Sequence, residues 1–305
     1  MRVRTMVLSA VAVLAIAALP YIPGSPLAAF SAPEVLGSGR ATAKAPRSAP
    51  AANASGAAAP TSPTPTVAVS TPVARPLIHA GPVTISSPGF WSWAVMDART
   101  GQINGSSNLN AVNDTASMIK AWLAADFLRR AAERNQDPGT SRLHEISIMI
   151  RDSDNGAAED IYQVNGSTAS INRLISICGL TDSRATSGSW SKTYLSSRDA
   201  VRMGKCIADG RAAGGKWTSW LLTEMRNVRG YGRFGIISAL PPDVAKTVAI
   251  KNGWLLRTDG LMRINCLAIG TDWVLAVLVR YAGSLGEAYG IGICKSVAAQ
   301  LLKAP

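Results

Sequence analysis

The fold class is decided by two apolar runs near the C-terminus, Arg263-Ile-Asn-Cys-Leu-Ala-Ile269 and Trp273-Val-Leu-Ala-Val-Leu-Val-Arg-Tyr281. Both have the length and composition of buried strands, and the Ala-Ile-Gly-Thr-Asp stretch before Trp273 predicts a turn between them. Val248–Leu256 predicts a third strand, and 287–303 predicts a helix that closes the chain. The C-terminal part is therefore expected to form a sheet with a helix after it.

The chain before these strands predicts one more strand pair and a series of helices. Trp91–Asp97 is β-prone, 98–101 predicts a turn, and 102–106 predicts a return strand. Apolar residues at helical spacing predict six helices, at Ser117–Glu133, Leu143–Ile150, Ala157–Val164, Ser170–Ile177, Ser196–Ile207 and Trp217–Met225. Strands from both ends of the chain around a helical block predict an α+β domain with an antiparallel sheet.

Three local patterns refine this assignment. Asn113, Asp114 and Thr115 are typical helix-starting residues and predict the beginning of the helix that holds Ser117. Ser196-Ser-Arg-Asp199 has the pattern of a capping box, with Asp in place of the usual Glu. Thr181–Leu195 shows no period and is rich in Ser and Thr, so it is predicted to be a loop.

The N-terminal part differs in composition from the rest. Met1–Arg4 holds two arginines and Met6–Leu19 is an apolar run without a charge, which predicts a signal peptide or N-terminal anchor over 1–30. An Ala-, Pro-, Ser- and Thr-rich linker is predicted at 31–77, and a single domain at 78–305. The sequence therefore predicts an extracytoplasmic protein, secreted or anchored, that meets a membrane only through its N-terminal segment.

The four cysteines all lie in the predicted domain, at Cys178, Cys206, Cys266 and Cys294. An even number of cysteines in an exported domain indicates two disulfides. Sequence does not fix their connectivity, but pairing in chain order is favoured because it closes two loops of similar size. The chain has no Cys-x-x-Cys pair and little histidine, so no metal site is expected. No cofactor is expected either.

The chain carries a net charge of +12 and a pI near 10.0. Such a charge fits either binding to anionic envelope polymers or scattered basic residues that keep the protein soluble. The arginines do not form a stripe with interleaved aromatic residues, so a nucleic-acid partner is not expected.

The first candidate for catalysis is Ser117-Met-Ile-Lys120. Apart from His79 at the edge of the linker, the domain holds only His144. It also lacks Gly-x-Ser-x-Gly, and both features disfavour a Ser-His-Asp triad. A serine can instead be activated by a lysine of lowered pKa, and residues three apart on a helix share a face. Ser189-Trp-Ser-Lys192 also fits the Ser-x-x-Lys pattern, so the pattern alone is weak evidence.

The order of the later motifs favours Ser117 over Ser189. Ser153-Asp-Asn155 and Lys251-Asn-Gly253 follow in that order, and the set resembles the Ser-x-x-Lys, Ser-Asp-Asn and Lys-Thr-Gly elements of class A β-lactamases and penicillin-binding proteins. The resemblance extends over most of 91–302. It implies a β-lactamase/DD-peptidase-like fold, in which an antiparallel sheet flanked by helices is joined to a helical subdomain.

The same resemblance implies three catalytic residues and an oxyanion hole. Ser117 would be acylated, Lys120 would act as its base, and Ser153 would pass a proton to the leaving nitrogen. The backbone N–H groups of Ser117 and Trp254 would form the oxyanion hole. The resemblance also implies five substrate-binding residues: Asn155, Lys251, Asn252, Gly253 and Trp254. Of these, Asn155 would bind the substrate amide and Lys251 its carboxylate.

Two departures from the family pattern affect the expected activity. Asn252 stands where the family has Thr or Ser, which alters the site for a substrate carboxylate. The loop 181–195 has no Glu, where class A β-lactamases place the base for deacylation, so a penicilloyl ester is expected to persist. The expected substrate is a cell-wall peptide, a related amide or ester, or a β-lactam-like small molecule that is turned over poorly. The alternative is an inactive binding or scaffold protein of the cell envelope with the same fold.

Overall fold

The computed structural model describes residues 77–302. The predicted N-terminal segment 1–30 lies outside this range, as does the predicted linker apart from Leu77. The strands are β1 Phe90–Asp97, β2 Ile103–Gly105, β3 Val112–Asp114, β4 Tyr194–Ser196, β5 Ala249–Ile250, β6 Gly253–Leu256, β7 Leu261–Ile269 and β8 Trp273–Ala282. The α-helices are α1 Lys120–Glu133, α2 Gly139–Arg151, α3 Asn155–Val164, α4 Thr168–Cys178, α5 Ser197–Ala208, α6 Gly215–Arg226, α7 Pro242–Thr247 and α8 Glu287–Leu302.

The main sheet combines strands from both ends of the chain, as the sequence predicts. Its order is β2-β1-β8-β7-β5, with β6 also paired to β7, and every pairing is antiparallel. The tight turn between β7 and β8 sets Ile269 opposite Val274. The α+β class and the antiparallel sheet are confirmed.

Helices cover both faces of this sheet. Gly204 of α5 contacts Leu267 on β7, whereas Gly290 of α8 contacts Ile264 on the same strand. Leu267 and Ile264 are three positions apart along β7 and so point to opposite faces of the sheet, which places the two helices on opposite faces. Burial on both faces explains why β7 and β8 read as apolar runs without alternation.

Both disulfides pair the cysteines in chain order. Cys178 of α4 is bonded to Cys206 of α5, and Cys266 of β7 to Cys294 of α8. The second bond attaches α8 to the sheet face that holds Ile264, since Cys266 lies two residues further along β7. The favoured connectivity is confirmed.

The predicted third strand is interrupted. Val248–Leu256 contains two strands, β5 and β6, which are separated by Lys251 and Asn252. The Lys251 N–H still donates to the Leu267 carbonyl at 3.2 Å, so the chain stays beside β7 while it bends. This break lets β6 approach the segment that carries Ser117.

The predicted start of the first helix is confirmed only for Thr115, which directly precedes the 3₁₀ turn that holds Ser117. Asn113 and Asp114 do not cap it but belong to β3, which pairs with β4 in a separate two-stranded sheet. Ser117 lies in a 3₁₀ turn, Ala116–Ile119, and α1 begins at Lys120. Strands of three residues are too short to show a period in the sequence.

The capping box forms only in half. The Ser196 hydroxyl accepts from the Asp199 N–H at 3.0 Å, as predicted. The Asp199 carboxylate instead accepts from the N–H groups of Thr181 and Asp182, and so fixes the beginning of the predicted loop. None of the helices within 77–302 is both long and apolar enough to cross a bilayer.

Candidate active site

A cleft of about 520 Å³ lies where the helical block meets the end of the main sheet. Four residues predicted from the sequence line it: Ser117, Ser153, Asn155 and Trp254. The other lining residues are Ala116, Glu159, Trp190, Ser191, Leu255, Leu256 and Glu287. Segments that are far apart in sequence therefore meet at one surface.

Ser117 is held on a strained turn at the base of the cleft. The residue is 9% exposed, and the preceding Ala116 has a φ of +45°, which is unusual for a residue with a Cβ. Ser153 also has a positive φ, +61°. Backbone strain of this kind costs about 1–3 kcal/mol per residue and is concentrated at functional sites.

Gly253 lets the turn and β6 come together. A Cβ at this position would lie 2.8 Å from the Ser117 nitrogen and 2.3 Å from the Thr115 carbonyl oxygen. No other residue type fits this approach without displacing the turn. The glycine is therefore required by the contact between β6 and the Ser117 turn, whether or not a substrate also lies against it.

Lys120 lies beneath the cleft and is fully buried. Its Nζ donates to the Ser153 carbonyl at 2.6 Å and to Asn155 Oδ1 at 2.7 Å, and it lies 3.4 Å from Ser153 Oγ. Within residues 77–302 the Ser117 hydroxyl forms no hydrogen bond with Lys120 or any other group. The predicted serine–lysine pair thus shares the site without a direct hydrogen bond.

Lys251 approaches Ser153 from the sheet side. Its Nζ donates to Ser153 Oγ at 3.0 Å and to the Asn252 carbonyl at 3.3 Å, and its side chain is fully buried. The Ser153 hydroxyl therefore lies between two amines. A hydroxyl can accept from one partner and donate to another, so this arrangement can pass a proton.

Burial governs the ionisation of both lysines. It lowers the pKa of Lys120 to about 7, and the nearby Asp154 carboxylate opposes this only in part. Burial, followed by the charge on Lys120, lowers the pKa of Lys251 well below that of an ordinary lysine. An amine with a pKa near neutrality can accept the proton of a serine.

Trp190 covers Lys120 from the predicted loop. The Lys120 Nζ lies 4.9 Å from the centroid of the tryptophan ring. The next residue, Ser191, is held by Arg257, which donates to its carbonyl at 2.7 Å and pairs with Asp114 at 2.9 Å. Because Asp114 directly precedes the Ser117 segment in β3, this network fixes the loop relative to the nucleophile.

Asn252 does not reach the cleft. Its Nδ2 donates to the Gly232 and Phe234 carbonyls, at 3.0 Å each, and the residue is 2% exposed. The structure therefore places this predicted substrate-binding residue in a structural role. The amide fixes this bend of the chain to the 232–234 segment.

Solved structures that share this architecture include β-lactamases. The chain matches a β-lactamase from Chitinophaga pinensis with a TM-score of 0.58 and 19% identity, over 71% of this chain and 92% of that chain. It matches a class A β-lactamase from Bacteroides cellulosilyticus with a TM-score of 0.60 and 15% identity, over 70% and 91% of the two chains. The chain has the β-lactamase fold. At these identities the likeness establishes the fold alone.

Sequence relatives add a different description. No protein-family model matches the chain. It is 30% identical over 193 residues to "Putative lipoprotein LppW" of Mycobacterium tuberculosis and of Mycobacterium bovis. The match covers 60% of this chain and 56% of the relative, so the chain spans little more than half the length of these curated proteins.

On this β-lactamase fold, Glu159 is a cleft residue that sequence analysis missed. Its Oε2 accepts from Trp190 Nε1 at 3.0 Å, so a carboxylate does stand beside the loop that lacks Glu. Helical spacing contained the signal, because Asn155 and Glu159 are four residues apart on α3 and share a face. In the described part of the chain, no group of three or more His, Cys, Asp or Glu side chains could hold a metal ion.

Proposed function

We propose that this chain is an exported serine hydrolase or acyltransferase that forms an acyl ester on Ser117. One observation carries the proposal: Ser117 and Ser153 open into the same cleft, and two buried lysine amines meet at Ser153 directly beneath it. Burying two amines in one place is costly, and a site without catalytic demands would gain by replacing one of them.

The contacts of Lys120 fit the role of base. A neutral amine has two N–H donors and one lone pair. Its two short contacts, to the Ser153 carbonyl and to Asn155 Oδ1, use both donors and leave the lone pair free. The pKa of about 7 makes the neutral form available near neutral pH. The lone pair can then take the proton of Ser117 as its oxygen attacks an acyl carbonyl.

In the proposed reaction, the Ser117 oxygen bonds to the acyl carbon and the leaving nitrogen or oxygen departs. That leaving group receives a proton through Ser153, which Lys251 orients. Water, or another hydroxyl or amine, then takes the acyl group from Ser117. With a β-lactam this second step is expected to be slow, because the loop 181–195 places Trp190 rather than a carboxylate over Lys120.

An extracytoplasmic location is part of the proposal. The N-terminal pattern has the form of an export signal, the relatives' printed name is that of a lipoprotein, and two disulfides are typical of proteins outside the cytoplasm.

A second candidate function, a binding or scaffold protein without turnover, is favoured by one observation. The Ser117 hydroxyl is not hydrogen-bonded to Lys120, so the nucleophile is not preactivated by that contact.

A labelling experiment with intact-mass analysis separates the two. A neutral fluorophosphonate is expected to add one adduct to the wild-type chain and none to Ser117→Ala. Ser189→Ala is the matched control, because Ser189 also lies three residues before a lysine but its hydroxyl contacts only the Ser191 hydroxyl in its loop. Absence of the fluorophosphonate adduct from the wild type would support the scaffold function.

A further inference from the structure

The cleft around Ser117 has an unusual distribution of charge. Its lining residues within 77–302 include two carboxylates, Glu159 and Glu287, and no Lys, Arg or His. Neither carboxylate forms an ion pair in this part of the chain. Glu159 accepts from Trp190 and Gln163, and Glu287 accepts from the Tyr231 hydroxyl. Their partners are neutral, so both negative charges remain uncompensated.

The nearby cations are turned away from the cleft. Lys120 and Lys251 are fully buried, and their amines bond to protein oxygens beneath it. The Asn252 amide points to the 232–234 segment instead. A substrate carboxylate would therefore meet two like charges and no exposed cation, which disfavours its binding.

Apolar and aromatic residues also line the cleft. Leu255 and Leu256 line the cleft and are 37% and 53% exposed. Trp254 packs against Tyr231 and Phe234, with ring centroids 5.3 Å and 5.6 Å away. Exposed leucines bind apolar chains, and aromatic faces attract ammonium groups.

The serine provides an independent sign that a ligand can bind here. Ser117 as a residue is 9% exposed, its hydroxyl opens into this cleft, and that hydroxyl has no hydrogen-bond partner among residues 77–302. The hydroxyl is therefore free to bond to a molecule that enters the cleft.

We propose that the substrate of Ser117 joins an apolar acyl group to a positively charged amine. The acyl chain packs on Leu255 and Leu256, and the ammonium lies between Glu159, Glu287 and the Trp254 ring. This inference rests on the proposed acylation of Ser117 and specifies its substrate class. It replaces the expected substrate carboxylate with a cation.

The net charge of the whole chain acts in the opposite direction, because +12 repels cations at long range. Salt screens this repulsion over about 8 Å at physiological ionic strength. Inside the cleft the two near carboxylates therefore dominate, and the preference for a cation is expected to persist as salt is raised to that level.

The experiment measures protection of Ser117 from a neutral fluorophosphonate in the full chain. The competitors are a straight-chain alkyl amine, alcohol and carboxylate of equal length, which share an apolar part and differ in charge. The amine is expected to protect at a concentration about tenfold below that of the carboxylate, and below that of the alcohol. Equal or better protection by the carboxylate or the alcohol overturns the proposal.

Matched variants locate the effect. Glu159→Gln and Glu287→Gln keep the shape of the side chains and are each expected to weaken protection by the amine about threefold, as for partly exposed ion pairs. Asp243→Asn removes a charge whose side chain is 96% exposed on α7, outside the cleft, and is expected to change nothing. The assignment of the two carboxylates is contradicted if Asp243→Asn weakens protection as much as the cleft variants do. It is also contradicted if neither cleft variant weakens protection.

The same labelling also tests the nucleophile separately from its specificity. If the fluorophosphonate labels Ser117 but the amine does not protect best, the specificity is wrong and the nucleophile stands. If it does not label the wild type, the proposed function fails, and the inference that rests on it fails too.

Discussion

Replacing the buried Lys120 by Met should stabilise the protein at neutral pH while abolishing acylation of Ser117. The lysine is fully buried and its pKa is lowered from 10.5 to about 7. In the unfolded chain the amine recovers its ordinary pKa. At a pH between these two pKa values the amine is neutral in the folded protein and charged in the unfolded chain, so unfolding takes up a proton. That uptake favours the unfolded state.

The size of the effect follows from the two pKa values. One pKa unit is worth about 1.4 kcal/mol, so the folded wild type carries a penalty of up to about 5 kcal/mol at and below pH 7. The penalty falls as pH rises towards the ordinary value, by about 2 kcal/mol between about pH 7 and about pH 8.5. Met loses the hydrogen bonds to Ser153 and Asn155, so a net gain of about 1–3 kcal/mol is expected at pH 7.

The assay is urea unfolding of both proteins at several pH values with the disulfides intact. Taking the difference between wild type and variant cancels the groups they share, apart from a small change at Lys251, whose pKa depends on the Lys120 charge. The difference is expected to shrink as pH rises. In parallel, labelling of Ser117 in the wild type should accelerate through about pH 7 and then level off. A stability difference that stays constant over this range would refute a lowered pKa and, with it, Lys120 as the base.

Two further perturbations test contacts that hold the fold together. Gly253→Ala places a Cβ 2.8 Å from the Ser117 nitrogen. It should slow fluorophosphonate labelling by more than about tenfold and lower the free energy of unfolding in urea by about 1–3 kcal/mol. The control is Gly292→Ala on α8, whose Cβ meets nothing within 4 Å and which should leave labelling unchanged. Replacing both Cys178 and Cys206 by Ala removes a disulfide between residues 28 positions apart. The free energy of unfolding should fall by about 3.5 kcal/mol. An unchanged unfolding midpoint would contradict the disulfide.

Elements with a long local pattern are predictable from the sequence. The apolar runs that form β7 and β8 and the periodic helices were assigned with boundaries close to those observed, because each contains enough residues to show its period. The pairing of the cysteines in chain order was also anticipated. Short elements were missed: β3 and β4 exist only because they pair with each other, and Asn113 and Asp114 read locally as helix starters.

The candidate site was predicted in part. The three motifs were placed near one another, and Ser117, Ser153, Asn155 and Trp254 do line one cleft. The orientation of Asn252 could not be foreseen, since it depends on carbonyls some twenty residues away in the chain.

What the sequence determined by itself was the alternation of strands and helices and the order of the reactive residues, because both are carried by side-chain type and spacing along the chain. Only the tertiary structure decided that the buried amines of Lys120 and Lys251 both contact Ser153. It also decided that Glu159 and Glu287 line the cleft. The physical reason is that burial and charge proximity depend on segments distant in the chain: Ser153 lies 33 residues from Lys120 and 98 from Lys251. Contacts between such segments set the pKa of an amine and the charge of a cleft, and no local pattern encodes them.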